Sequence, residues 1–283
     1  MKKRGTLVLV PFGGLANRMY AIASAYSTCL TNGSKLSIVW FREWGMEACF
    51  ADLFEPLGKP GVALRQATAL DRVVNDRPRR RNLFVPKLMQ RLLYDRRIYE
   101  DSVSRLRDSG FNFAQHFAAK RAYMVTCIEF AKIEPHVWAA LFRPVKPVME
   151  AVEARTKLFS AYTIGMHIRR SDNVNSIKQS PTRLFVEAGK REMAEHPDLK
   201  IFLATDSEEV KREMREAFGH RIITSATPAS RDNIGGLRDG LVDMYTLSHT
   251  ALIYGSWFSS FSEMAAKIGG KKLVVLRNGE EIG

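Results

Sequence analysis

The chain has little with which to do redox or metal chemistry. Its three cysteines, Cys29, Cys49 and Cys127, sit far apart with no C-x-x-C spacing. That excludes a disulfide framework and a zinc site of the usual spacing, and it suits a reducing compartment. Free cysteine is among the most buried residue types, so Cys29 and Cys49 read as packing residues. The six histidines make no metal pattern, and His196 and His220 read as solvent-side residues near helix ends. No D-x-D-like carboxylate pair follows a strand in the first half, so no metal cofactor is expected to hold a diphosphate. The absence of G-x-S-x-G removes the nucleophile elbow of the α/β-hydrolases. No stretch reaches the roughly 18 apolar residues of a membrane span. The apolar run Leu7 to Val10, behind a basic opening, is too short for a signal-peptide core. A cytoplasmic protein is the expectation.

What is present is globular composition with a basic excess. The 283 residues are 46% hydrophobic and 26% charged, enough for two domains of ordinary size and against widespread disorder. The net charge is +13, and the stretch from Arg65 to Arg107 holds twelve Lys/Arg against five Asp/Glu, more than half of that surplus. Three readings compete: a solvated arginine-rich face, a peripheral surface for anionic membrane or an anionic acceptor, and nucleic-acid binding. The stretch has no RNP-like motif, zinc spacing or helix-turn-helix signature, which ranks nucleic acid last. Its Phe84, Tyr94 and Tyr99 are mixed with Leu, Val and Met at spacings that read as core.

From Tyr162 onward, apolar runs of strand length alternate with segments of helical period. Strands are expected over Tyr162–His167, Leu199–Thr205, Arg221–Thr224, Ala251–Tyr254 and Lys272–Leu276. Ser180-Pro181 offers a cap and first-turn proline for a helix to Glu195. Further helices run to Phe218, from Leu237 to Ser248 and over Ser259–Ile268. The first half begins the same way, with strand Thr6–Val10, a glycine turn, helix Leu15–Leu30 and strand Leu36–Trp40. Residues 65–120 then look irregular or helical before a strand at Ala122–Ile128. This rhythm implies parallel sheets with helices on their faces, and the chain divides near residue 145 into two α/β domains, 1–145 and 146–283. Ligands in such sheets bind beyond the carboxyl ends of the strands, so the segments after His167, Thr205 and Tyr254 are the places to look.

Three constellations there carry chemistry. The strand ending in HIRRSD sets Arg169 and Arg170 at a sheet rim, with His167 sharing a face with Arg169 by strand alternation. Guanidinium recognises phosphate oxygens bidentately and stabilises charge that grows on a departing nucleoside diphosphate. The bland alternative is surface arginines paired with Asp172. In SWFSSFSEMAAKIGG, Ser259 and Ser260 crowd a helix start whose free N–H groups suit an anion, although capping alone needs only one serine. In PFGGLANRMYAIASAY, Gly13-Gly14 lets the backbone turn into another helix start. Asn17 and Arg18 fall in its first turn and could face a ligand, while Met19, Ile22, Ala23 and Tyr26 continue as core.

Taken in order, GGLANRMYAIASAY, HIRRSD, FLATDS and VDMYTLSHTALIYGSWFSSFSEMAA resemble blocks of the fucosyltransferase superfamily. That group joins the α1,6-fucosyltransferases, including the bacterial nodulation enzymes, the α1,2-fucosyltransferases and the protein O-fucosyltransferases. The resemblance implies a GT-B-like pair of Rossmann-like domains with GDP-fucose held mainly by the C-terminal one, and an inverting, metal-independent transfer. It assigns Arg169 to the β-phosphate, with His167 beside the nucleotide and Asp206 near the site. It further assigns Asp243 to the guanosine, Ser259 and Ser260 to the diphosphate, and Gly14 and Asn17 to a loop closing over diphosphate and sugar. The pattern also departs from the family. Where the α1,6 branch reads HxRRTDK with a glutamate four positions on, Asn173 and Ile177 stand here, and GGLANR replaces GGLGNQ. Asp172, the only carboxylate between Arg170 and Glu187, is then the catalytic base by default.

The expected function is transfer of fucose from GDP-fucose to a hydroxyl of a glycan or lipid-linked saccharide acceptor, in the cytoplasm or peripherally at the inner face of the membrane. Two other readings are the same fold with another nucleotide sugar, and a non-catalytic protein binding nucleic acid or anionic membrane through its basic stretch.

Overall fold

A computed structural model describes residues 4–43, 46–75, 85–170, 174–226 and 233–279. The chain divides into two compact units, Met1–Arg143 and Pro144–Gly283. The first contains strands β1 (Thr6–Pro11), β2 (Lys35–Trp40), β3 (Val62–Gln66), β4 (Arg96–Ile98) and β5 (Arg121–Thr126). Its helices are α1 (Leu15–Asn32), α2 (Ala69–Val74), α3 (Val85–Leu93), α4 (Glu100–Asp108), α5 (Phe113–Phe117) and α6 (His136–Leu141). The strands pair in parallel in the order β3-β2-β1-β5-β4.

The second unit opens with α7 (Lys146–Thr156) and β6 (Thr163–Ile168), followed by α8 (Val174–Gln179), α9 (Thr182–Glu195), β7 (Lys200–Thr205) and α10 (Glu208–Phe218). Then come β8 (Ile222–Thr224), α11 (Ile234–Ser248), β9 (Leu252–Ser256), α12 (Ser260–Gly269) and β10 (Lys272–Leu276). Its sheet is also parallel, ordered β10-β9-β6-β7-β8. Each unit is thus a Rossmann-like α/β layer with its first strand in the middle.

Burial explains why the central strands read so plainly. All six residues of β6 are buried, because helices cover both faces of a parallel sheet. Ile164, Met166 and Ile168 enter one core with Phe185, Ala188 and Met214. On the other face, a Cβ at Gly165 would come within 2.7 Å of the Leu247 side chain, so α11 packs directly on the backbone there.

The sequence leaves two edge strands of the first unit unmarked, although the edges β8 and β10 of the second are legible. β3 alternates between half-buried and exposed residues, and β4 is three residues of which two are arginine. Their strand character comes from pairing with β2 and β5, not from an apolar pattern.

Several expectations need correction. The Leu and Val residues between 65 and 107 are largely outside the core: Leu70, Val73, Val85, Leu88 and Leu92 are all exposed. Tyr94 and Tyr99 do pack against Tyr123, and Phe84 lies outside the described residues. Cys29 is buried, with its thiol pushed up to about 12 by burial. Cys49 is instead half-exposed and precedes a short 3-10 turn, where its amide donates to Asp52 Oδ2 at 2.7 Å. His196 does sit at the end of α9, half-buried, with its ring against Tyr162 at a centroid distance of 3.7 Å. Ser180 does not cap α9; Pro181 occupies that position.

Candidate nucleotide-diphosphate site

In the second unit the chain runs from β6 through β7 to β8 and then returns to the other side of β6 as β9 and β10. The strand order therefore reverses between β6 and β9, which is where open α/β sheets leave a crevice at their carboxyl ends. His167 pairs in register with Gly255 at this seam. A Cβ at Gly255 would lie 2.5 Å from the Ser262 hydroxyl, so the close seating of α12 against β9 requires glycine there. The Ser256 hydroxyl joins the two strand ends, accepting from the Arg169 amide at 3.1 Å and donating to the His167 carbonyl at 3.2 Å. Sequence reasoning missed Ser256; a hydroxyl at the last position of a strand next to the switch point is the available signal.

His167 is almost fully buried under α12. Its ring stacks on Phe261 with centroids 4.6 Å apart, and its Nδ1 lies 3.3 Å from the Ser259 hydroxyl. Burial, and then the positive charge of Arg169, push its pKa down to about 3, with Asp206 opposing. The imidazole is therefore neutral at physiological pH and acts as a dipole, not a cation. Ser259 occupies the N-cap position of α12, but its side chain makes no capping bond and addresses His167 instead. The first-turn amides of α12, including that of Ser260, have no partners within the helix and form an anion-seeking surface.

The two arginines after β6 have different jobs. Arg170 is bound in place: its guanidinium donates to the Arg169 carbonyl at 2.8 Å, the Ser180 carbonyl at 2.9 Å and the Thr182 hydroxyl at 3.0 Å. Arg169 is mostly buried, with Nη1 3.9 Å from Asp206 Oδ2. Asp206, at the carboxyl end of β7, accepts the Arg170 amide through Oδ1 at 2.7 Å. Asp206 thus braces the loop while lying beside the Arg169 head group. The Ser180 hydroxyl donates to the Leu276 carbonyl at 2.6 Å and accepts the Trp257 amide at 2.8 Å, pinning the loop that leads to Ser259. In that loop Phe258 is 73% exposed and has a left-handed φ of +60°. Nothing in its residue type signals this, since αL costs a bulky side chain about 1–2 kcal/mol.

Asp243 lies in the middle of α11, where the Arg155 guanidinium of α7 donates to its Oδ1. Burial raises its pKa to about 6, against the lowering effect of Arg155. Asp172 and Asn173 lie outside the described residues. Ile177, where the resemblance would put a glutamate, is on α8 and partly exposed. Among the described residues, no three His, Cys, Asp or Glu side chains gather in a way that could hold a metal ion.

Gly14 and Asn17 belong to the first unit, at the carboxyl end of β1. Gly13 takes a left-handed φ of +81°, Gly14 is the extended N-cap of α1, and a Cβ on Gly14 would meet nothing within 4 Å. That open space lies at the start of α1, with half-buried Asn17 in the first turn. Arg18 does not face it. Its side chain is 0% exposed and donates to the carbonyls of Gly13 at 2.8 Å, Phe41 at 2.7 Å and Glu43 at 2.6 Å. Its guanidinium also lies over the Trp40 ring at 4.6 Å. Arg18 shapes the glycine turn from beneath.

No family model and no curated protein matches the sequence. Solved structures do. NodZ α-1,6-fucosyltransferase soaked with GDP-fucose superposes with a TM-score of 0.66 at 17% identity, covering 94% of this chain and 93% of that one. An Arabidopsis thaliana FUT1 mutant in complex with GDP gives 0.64 at 15% identity, over 98% and 71%. POFUT1 in complex with GDP-fucose gives 0.57 at 10% identity, over 96% and 98%. The protein therefore has the GT-B-like, two-domain fold found in these fucosyltransferases.

Proposed function

We propose that the protein is a fucosyltransferase that takes its sugar from GDP-fucose. The observation that carries the reading is the junction of β6, β9 and α12. There a poised Arg169, a neutral His167 and the Ser259-Ser260 helix start converge, in a fold shared with proteins whose structures hold GDP-fucose or GDP. Fold alone hosts many activities, so the weight rests on this junction.

In this reading the Arg169 fork and the first-turn amides of α12 receive the diphosphate. An acceptor hydroxyl attacks the fucose anomeric carbon from the face opposite the diphosphate, and configuration inverts. The bond from that carbon to the β-phosphate oxygen breaks, and GDP leaves with the bonding pair. Negative charge grows on that oxygen, so a fixed arginine stabilises the transition state more than the ground state and no metal is needed. The acceptor's proton passes to Asp172 as base. Neutral His167 keeps the Ser259 hydroxyl oriented without adding a second positive charge. Asp243 offers Oδ2 to guanine N–H groups while Arg155 occupies Oδ1. The acceptor is a glycan hydroxyl.

A second reading keeps the chemistry and changes the donor. It is favoured by the engagement of Asp243 with Arg155, which competes with a base for the same carboxylate. A thermal-shift panel of GDP, UDP and CDP separates the two. Stabilisation by GDP alone supports the first reading, and stabilisation by UDP or CDP alone supports the second. The absence of any GDP response at millimolar concentration overturns the fucosyl reading.

A further inference from the structure

The helix pair α2–α3 of the first unit is built inside out. In α2, Asp71 is buried and Asn75 follows it into the interior, while Leu70 (68% exposed) and Val73 face solvent. In α3, Gln90 is fully buried while Val85, Leu88 and Leu92 (75% exposed) point outward. These lie at i, i+3 and i+7, one stripe of a helix. Of the twelve large hydrophobics exposed in the described structure, five fall between residues 70 and 92 on these two packed helices.

The buried side is polar and fully engaged, so the inversion is not a packing accident. Asp71 takes a bidentate bond from Arg65 at 2.6 Å and bonds from Thr68 and Asn75 at 2.7 Å. Asn75 in turn accepts from Tyr94 and Tyr123, and the Tyr99 hydroxyl donates to Gln90 at 2.8 Å. This network, with Leu93 packed on the sheet's apolar core, keeps α2 and α3 attached, while Leu70, Val73, Val85, Leu88 and Leu92 remain on the outside.

An exposed apolar stripe of this size marks an interaction surface. Its setting decides the occupant. Arg91 stands beside Leu88 and Leu92 on the exposed side of α3, Arg72 is exposed next to Val73 where it pairs with Glu43, and the described residues between Arg65 and Arg107 hold eight Lys/Arg against four Asp/Glu. A second copy of this chain would bring like charge against like charge. Nucleic acid would match the charge but leave the leucines without a partner. A bilayer with anionic headgroups satisfies both, since apolar side chains enter the acyl boundary while Arg and Lys meet the headgroups.

We propose that the α2–α3 face docks the protein peripherally on anionic membrane, with Leu70, Val73, Val85, Leu88 and Leu92 inserted and Arg72 and Arg91 at headgroup level. The docking does not depend on which nucleotide sugar the other unit binds.

Flotation of the full chain with vesicles tests this, using phosphatidylcholine alone and phosphatidylcholine mixed with phosphatidylglycerol. Binding is expected to the mixed vesicles and to weaken with salt. The double variant Leu88→Ser/Leu92→Ser is expected to lose at least about tenfold in partitioning at unchanged melting temperature. Arg91→Glu is expected to lose about fivefold or more. Leu158→Ser, an exposed leucine in the other unit, serves as the control and is expected to bind as wild type. Should the double variant unfold, Leu70→Ser alone carries the same expectation. Absence of binding to mixed vesicles, or binding unaffected by the leucine and arginine changes, overturns the proposal. So does a wild-type dimer dispersed by Leu88→Ser/Leu92→Ser, or RNA binding lost in that variant without any vesicle binding.

Discussion

Replacing Arg169 by alanine removes a guanidinium that is only 13% exposed and stands 3.9 Å from Asp206. A fork of this kind offers two N–H donors to phosphate oxygens, and a hydrogen bond to a charged group contributes about 1.5–3 kcal/mol. Losing the fork should therefore cost about 3 kcal/mol of GDP affinity, roughly a hundredfold in Kd. With GDP at about 100 times its Kd, the wild-type protein gains about 2.7 kcal/mol of stability. For a fold of this size that corresponds to roughly 5–10 °C in Tm. At the same GDP concentration the Arg169→Ala protein sits near its own Kd, gains about 0.4 kcal/mol and shifts by about 1 °C. The ligand-free Tm should move little, because Asp206 keeps its 2.7 Å bond to the Arg170 amide. Differential scanning fluorimetry with and without GDP reads all of this. An undiminished GDP shift in Arg169→Ala would refute the assignment of Arg169 as the phosphate anchor.

Three further outcomes are expected. The folded state disfavours protonated His167, so its contribution is complete above the ordinary pKa of 6.5 and is lost as pH falls toward about 3. The slope reaches up to about 1.4 kcal/mol per pH unit, and His167→Gln should flatten it in urea titrations at pH 7 and pH 5; an unchanged slope counts against this. Arg18→Met leaves three buried carbonyls without their donor. Chemical denaturation should register a loss of about 3–5 kcal/mol, and a loss under 1 kcal/mol would contradict the strut role. Phe258→Gly removes a side chain from left-handed backbone. It should not destabilise, and it gains up to about 1 kcal/mol by thermal melting, whereas a large loss would show that the Trp257 contact outweighs the strain.

How far the sequence could be read depends on where each element sits in its sheet. β6, β7 and β9 are buried along nearly their whole length, and β1 and β2 over their carboxyl halves, which leaves apolar runs that are visible without a structure. β3 and β4 are edges whose exposed or arginine side chains leave no apolar run, whereas the edges β8 (IIT) and β10 (KLVVL) keep one and are legible. The helices α2 and α3 misled for the opposite reason. Their apolar spacing is regular, and periodicity reports that a helix has an apolar face without saying which way that face points. Only the burial of Asp71, Asn75 and Gln90 reveals the direction. The same limit applied at the start of α1, where Asn17 and Arg18 are neighbours in one turn. A rotation of about 100° separates their side chains, enough to put Arg18 under the loop while Asn17 stays at its rim.

The adjacent arginines of HIRR make the point most sharply at the site itself. Two guanidinium groups after a strand look like doubled phosphate recognition, and charge counting treats them alike. Position separates them. Arg170 turns back to three oxygen acceptors supplied by its own unit, and burial lowers its pKa against the opposing pull of Asp206. Arg169 follows β6 on the side where Ser256 and α12 close the seam. Asp206 touches both, through the Arg170 amide and the Arg169 head group, so one carboxylate holds the strut rigid and keeps the anchor oriented. Pre-orientation of this kind is what electrostatic stabilisation of a leaving diphosphate requires, since a donor already in place need not reorganise as charge develops. On the proposed function, Asp206→Asn is therefore expected to lower kcat for fucosyl transfer more than it weakens GDP binding. The anchor would remain, but its aim at the developing charge would be lost. Steady-state kinetics beside a GDP thermal shift reads the two effects, and an equal loss of both would count against this.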